Sequence, residues 1–184
     1  MDKREQKSRE AIYEALRIKL AEKPYERITV EDLLTVSKVS RSTFYAHFSS
    51  KDDVLDSVID AIFEHVFAPT QHKEHNHDFS DAPLFDYAHL ITHVFYHFYD
   101  EQDLIKAIVS SSGSNRFNEK LKERASDLMS ACIRSRTFCK ANVPEDLQTY
   151  QLTQAFSSLI RYWMLDGCRI RPEDLSQYFV RLYS

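Results

Sequence analysis

Five residues in the stretch 41–47 carry groups suited to reading a nucleic acid: Arg41, Ser42, Thr43, Tyr45 and His47. A guanidinium forms a bidentate pair with the guanine edge. Short hydroxyls bond base edges, and a threonine methyl meets the thymine methyl. Tyrosine and imidazole suit phosphate, a contact that positions without carrying sequence information. Phe44 and Phe48 are four residues apart, so on a helix they share the inward face and leave the five polar groups outward. Thr29 and Lys51 stand at the starts of flanking helices, where backbone amides and the positive dipole end favour phosphate. Arg41, Ser42 and Thr43 are therefore the candidates for base reading. Thr29, Tyr45, His47 and Lys51 are candidates for holding phosphate.

A second group is the series His89, His93 and His97, at i, i+4 and i+8 on one helical face. Two imidazoles one turn apart can share a metal, and the preceding stretch adds His72, His75, His77 and Asp78. The three helical histidines span two turns, about 12 Å, too long for one ion. No metal site is expected, and His89, His93 and Tyr96 are read as lining for a polar ligand pocket. The same segment carries Phe85, Tyr87, Phe95, Phe98 and Tyr99. These suit either a cavity for an aromatic or amphipathic ligand or simple packing. Cys132, Cys139 and Cys168 have no C-x-x-C spacing. They read as small buried hydrophobes, with a redox switch as the alternative.

The elements that must position these groups are helical. Ile12, Leu16 and Leu20, with Ala15 beside them, make one apolar stripe on a helix over Lys3 to Glu22 that Lys23-Pro24 ends. Thr29, with Asp32 three residues on, has the pattern of a capping box. A short helix follows through Leu33, Leu34 and Val36, then a turn at Ser37-Lys38-Val39, and Ser40 caps the next helix. Leu33, Leu34, Val39, Phe44 and Phe48 would clamp the pair. Another helix runs from about Lys51 to Phe67. A polar stretch at 68–83 reads as a loop. Helices follow from Leu84 to Tyr99, Asp103 to Ser110, Phe117 to Phe138, Pro144 to Gly167 and Pro172 to Leu182. Pro144 and Pro172 suit first-turn positions, and Gly167 suits a left-handed cap.

The class is bounded by what the chain lacks. It has 184 residues and two glycines, Gly113 and Gly167. A fold of tight β-turns or a nucleotide-cradling loop needs more. No nucleophile elbow or close carboxylate–histidine motif is present, so no catalytic residue and no cofactor are expected. No apolar run approaches the ~20 residues of a membrane span, and the first ten residues lack a signal-peptide core. A cytoplasmic protein is expected. Net charge is −4, yet residues 1–51 hold 11 Lys/Arg against 8 Asp/Glu. Only that quarter of the chain suits a polyanion.

Three short helices with a tight turn before the last describe a helix-turn-helix. The stretch ITVEDLLTVSKVSRSTFYAHFSSKDDVL at 28–55 resembles the DNA-binding domain of the TetR family. Its landmarks are Val39-Ser40, Thr43, Phe44-Tyr45, His47-Phe48, Lys51 and Leu55. The family places glycine where this chain has Lys38, which in a left-handed turn costs roughly 1 kcal/mol. The resemblance implies an all-α protein of about nine helices. A DNA-binding domain at 1–50, with family likeness to about 66, would precede a ligand-binding and dimerisation domain at 51–184. It also implies a homodimer on a palindromic operator, acting as a repressor released by a small effector. Control by a partner protein, metal or redox is the alternative. The segment FSSLIRYWMLDGCRIRPEDL at 156–175 resembles a C-terminal type from Gram-positive bacteria. By that resemblance Phe156, Leu159, Ile160 and Trp163, with Tyr178 and Phe179, would form the dimer seam. Packing inside the subunit is the other reading.

Overall fold

The structure is a computed structural model that describes residues 3–67, 87–138, 140 and 142–184. Among them are nine α-helices and no strand. They are α1 Lys3–Glu22, α2 Val30–Ser37, α3 Arg41–His47, α4 Lys51–Val66, α5 Tyr87–Asp100, α6 Gln102–Val109, α7 Ser114–Arg134, α8 Glu145–Leu165 and α9 Pro172–Tyr183. A single 3-10 turn at Tyr25–Arg27, not expected from the sequence, links α1 to α2. The expected loop at 68–83, with its three histidines and Asp78, lies outside the described residues, as do Phe85 and Cys139 and the side chain of Tyr87.

Contacts divide the chain into two units. The first comprises residues up to Ile62 together with Asp103–Phe117; the second comprises Phe63–Gln102 and Asn118–Ser184. The division falls inside α4. In the first unit the α1 stripe is buried as expected, Ile12, Ala15 and Leu16 completely, and α1 packs on α2 and α3. Val54, Leu55, Val58 and Ile59 of α4 and Ile105, Ile108 and Val109 of α6 are buried too. A Cβ at Gly113 would stand 3.0 Å from Leu55 Cδ2, so a side chain there would push the Leu55 methyl aside.

The second unit is built on an aromatic core. α5 packs along α9. Phe95 stacks on Phe156 at 5.5 Å and meets Trp163 edge-on at 5.7 Å, and Phe156 meets Phe179 edge-on at 5.6 Å. These rings are fully buried. Phe95 and Phe98 therefore serve packing, not a cavity wall. α7 differs from expectation at both ends. It begins at Ser114, with Phe117 N–H donating to the Gly113 carbonyl, and stops at Arg134. Arg136 turns left-handed with φ 64°, which breaks the ladder and carries Phe138 into the core from a non-helical segment. α8 ends with Gly167 at φ 76° and Cys168 also left-handed at φ 52°. Cys168 N–H reaches back to the Trp163 carbonyl at 2.9 Å, the six-residue closure of a glycine-type helix stop.

Cys132 and Cys168 are buried. Burial pushes the Cys132 thiol up to about 12, so it holds almost no thiolate near neutrality. In the native protein Cys132 should resist a thiol reagent at pH 8 and react only after denaturant is added. Native-state labelling of Cys132, read by mass spectrometry of its peptide, would contradict this.

Candidate DNA-binding site

The helix-turn-helix is held by short-range chemistry. Thr29 and Asp32 close a reciprocal capping box: Asp32 N–H donates to Thr29 Oγ1 at 3.2 Å, and Thr29 N–H donates to Asp32 Oδ2 at 2.7 Å. The Lys23 ammonium adds a third donor at 2.8 Å. Lys23 first, then the Thr29 bonds, hold the Asp32 carboxyl well below the usual range. Lys38 occupies the left-handed region at φ 58°, ψ 20°, and its N–H closes on the Leu34 carbonyl at 3.0 Å. Here the chain carries the strain that glycine would avoid. Lys38→Gly should raise stability by up to about 1 kcal/mol, less the extra freedom glycine adds to the unfolded chain. A lower urea midpoint would contradict this.

Ser40 caps α3 by accepting from Thr43 N–H at 3.1 Å. Its hydroxyl also touches the Ser42 hydroxyl at 3.0 Å and the Thr43 hydroxyl at 2.8 Å. Leu33, Phe44 and Phe48 are buried and clamp the two helices, while Leu34 and Val39 are half-buried. Phe44 and Phe48 rings lie 5.8 Å apart, and the Arg9 guanidinium sits 5.4 Å over Phe48.

This clamp presents Arg41, Ser42 and Tyr45 outward, with Thr43 and His47 half-buried on the flanks. Tyr45 is 50% exposed and braced edge-on by Phe44 at 5.3 Å. Arg41 pairs with Glu31 of α2 at 2.5 Å, both side chains largely exposed. Such a surface pair is weak, so it orients the guanidinium and gives way to a better acceptor. Thr29 is exposed at the start of α2.

Lys51 behaves differently from a free phosphate clamp. Its ammonium turns inward, donating to the carbonyls of Tyr25 at 3.0 Å, Glu26 at 3.4 Å and Ile28 at 2.8 Å, and lies 4.4 Å over the Tyr25 ring. The group it leaves for a phosphate is the amide at the start of α4. Sequence reading missed Tyr25, Asp52 and Arg116. Tyr25 donates its hydroxyl to Asp52, and burial first, then Asp52, pushes its phenol far up. Arg116 bridges Asp52 at 3.0 Å and Asp56 at 2.7 Å. No local pattern marks these residues, because each partner lies more than 25 positions away.

Profile comparison decides the family. The profile for bacterial regulatory proteins of the tetR family matches residues 8–58, and one for a transcriptional regulator C-terminal region, TetR_C_8, matches residues 86–184. The chain belongs to the TetR family. Members are non-enzymatic DNA-binding regulators of transcription. The HTH-type transcriptional regulator YxbF of Bacillus subtilis (strain 168) is 38% identical over 60 residues, 32% of this chain and 16% of its own length. The chain therefore matches only a small part of that relative. A TetR transcriptional regulator from Streptococcus agalactiae 2603V superposes with a TM-score of 0.73 at 27% identity, over 100% of this chain and 97% of its own. A TetR-family structure from Syntrophomonas wolfei gives 0.70 at 18% identity, over 97% and 93%.

Of the residues expected to line a ligand pocket in this TetR-family regulator, Tyr96 is half-buried on α5. Tyr96 donates its hydroxyl to Glu173 of α9; burial and then Glu173 raise its phenol to about 12. His89 is exposed, while His93 is buried. Two surface depressions of the second unit are lined by other residues. One is a groove of about 960 Å³ between α7 and α8, the other an apolar cleft of about 310 Å³ around Val143, Leu147 and Leu182. No described helix is long and apolar enough to cross a membrane. Among the described residues no group of three metal-ligating side chains is arranged to hold an ion.

The residues read as the dimer seam differ in their burial within the subunit. Phe156, Ile160, Trp163 and Phe179 are fully buried within the subunit, so they have no surface left to bury against a second copy. Leu159 is half-buried, and Tyr178 remains exposed. The outward face of α8 carries Leu147, Tyr150, Tyr162 and Leu165 instead, and that of α9 carries Tyr178 and Leu182.

Proposed function

We propose that this TetR-family regulator binds a palindromic operator as a homodimer and represses transcription until an effector releases it. The observation that carries the reading is the exposed N-terminal face of α3. There Ser42 and Thr43 bond the Ser40 cap beside the exposed Arg41, while Phe44 and Phe48 anchor the helix. A short, rigidly clamped helix with its first residues outward fits the major groove. Arg41, Ser42 and Thr43 read base edges; Thr29, Tyr45, His47 and the α4 amide terminus at Lys51 hold phosphate. Two-fold symmetry then sets half-sites about one DNA turn apart.

The test is binding to DNA selected from a random pool at fixed salt. Arg41→Ala should weaken the selected site by roughly 1–3 kcal/mol and relax preference at one base pair. Tyr45→Ala should weaken all sequences alike. Unchanged binding in both variants would show that α3 is not the reading helix.

The filled aromatic core around Phe95, Phe156 and Trp163 supports a second reading of control, by a partner protein acting without a small organic inducer. A reporter assay with and without candidate inducers, followed by partner capture from the native host, separates the two.

A further inference from the structure

The groove between α7 and α8 lies wholly within the second unit and holds about 960 Å³. Arg134, at the end of α7, reaches Glu145, at the start of α8, 3.5 Å away, so the two helices run antiparallel along it. Its wall is largely side-chain carbon. Five carboxylates line it. Glu119 is paired with Lys122 at 3.0 Å, and Glu145 with Arg134. Glu123 and Asp127 of α7 and Asp146 of α8 are exposed and make no ion pair among the described residues. Lys120 adds one further ammonium to the lining.

The floor carries an unsatisfied group. Asp146, Thr149 and Thr153 stand at i, i+3 and i+7 on α8, one helical face, and all three line the groove. Thr153 is only 5% exposed, and its Oγ1 has no hydrogen-bond partner. The carbonyl of the same residue is satisfied, accepting from Ser157 Oγ at 2.8 Å. A buried hydroxyl without a partner is uncommon and costly, and a donor entering the groove relieves it.

Three uncompensated carboxylates strung along a carbon wall do not suit a metal ion, whose ligands must converge. Among the described residues no group of three is so arranged. They suit an extended organic cation. Glu123 and Asp127 are four residues apart, a rise of about 6 Å, close to the spacing of successive ammonium groups separated by three or four methylenes. Those methylenes gain from lying against carbon, and aliphatic amines are protonated near neutrality. Each exposed ion pair alone adds little. Several must form at once, which selects a polyamine over a single amine.

We propose that this groove binds a linear aliphatic polyamine. Glu123, Asp127 and Asp146 each take one ammonium group, and the Thr153 hydroxyl accepts an N–H. The site goes beyond the DNA-binding reading and does not depend on it.

The experiment titrates the full chain, without DNA, with spermidine, a linear triamine, in a calorimeter at fixed ionic strength. One saturable site per chain is expected, with no saturable heat from butylamine or Mg²⁺. The double variant Glu123→Gln/Asp127→Asn should weaken binding at least about tenfold. Thr153→Val, which keeps the shape and removes the hydroxyl, should weaken it about threefold or more. Glu64→Gln, an exposed carboxylate on α4, should change nothing. Circular dichroism checks each variant. Should Thr153→Val fail to fold, the double variant decides, because both its positions are exposed. No saturable spermidine site, an equal response to Mg²⁺, or an affinity unchanged in the double variant would each overturn the polyamine site. An unchanged affinity in a folded Thr153→Val would overturn the contact with the floor.

Discussion

Trp163→Ala is expected to cost about 3–5 kcal/mol, the range for deleting a large buried aromatic ring. A domain holds only about 5–15 kcal/mol in all, so the second unit should lose much of its stability. The ring is fully buried, meets Phe95 edge-on and stacks on Tyr99 at 6.2 Å. Its indole N–H donates to the Ile170 carbonyl at 2.8 Å. That bond secures the left-handed turn through Gly167 and Cys168 that brings the chain from α8 to α9. Trp163→Phe keeps most of the ring but strands the Ile170 carbonyl, a smaller loss of about 1–3 kcal/mol. The neighbour is the control. Tyr162 is 59% exposed, so Tyr162→Ala should change subunit stability by no more than about 0.5 kcal/mol. Urea unfolding of the three variants gives the order. A Trp163→Ala loss below that of Trp163→Phe would contradict the packing described for this core.

The second large effect is on assembly. Leu147, Tyr150, Tyr162 and Leu165 recur along α8 at spacings that keep them within about a third of its circumference. On α9, Tyr178 and Leu182 lie one turn apart, Leu182 being 71% exposed. Apolar and aromatic groups exposed in two adjacent stripes suit burial against a second copy, where aromatic anchors dominate the energy. The double variant Tyr178→Asp/Leu182→Asp should leave the helical spectrum unchanged and convert dimers to monomers in light scattering. A monomer engages one half-site at a time, so operator affinity should fall by about 10²–10⁴, the gain that linked sites provide. Persistence of the dimer in this variant would move the seam elsewhere. Substitution at Phe156 or Phe179 should instead unfold the subunit, because those rings are interior.

Much of the DNA-binding unit was legible in the residues because its determinants are local. The capping box joins residues three apart, Ser40 caps within three residues, and the stripe of α1 repeats every turn. The Lys38 departure was visible as well, and the backbone there is left-handed. The 3-10 turn at Tyr25–Arg27 was not legible. It is held by Lys51 and Asp52, whose separation in sequence leaves no periodic mark. The same non-locality turned Lys51 inward: a lysine at a helix start reads as a phosphate contact until three carbonyls come within its reach.

The sequence by itself determined an all-helical chain, the caps at Thr29 and Ser40, and the outward placing of Arg41, Ser42 and Tyr45 on α3. Those follow from bonds closed within one or two turns. Tertiary structure alone decided which of two apolar faces of α8 turns inward, since Phe156 and Tyr162 are equally apolar to a periodic reading. Packing against Phe95 and Phe179 selected Phe156. It likewise decided which histidines meet. His89, His93 and His97 share a helical stripe, but a stripe two turns long cannot close on one point. The fold sets His65 of α4 edge-on against His97, a contact that no periodic reading of one helix contains.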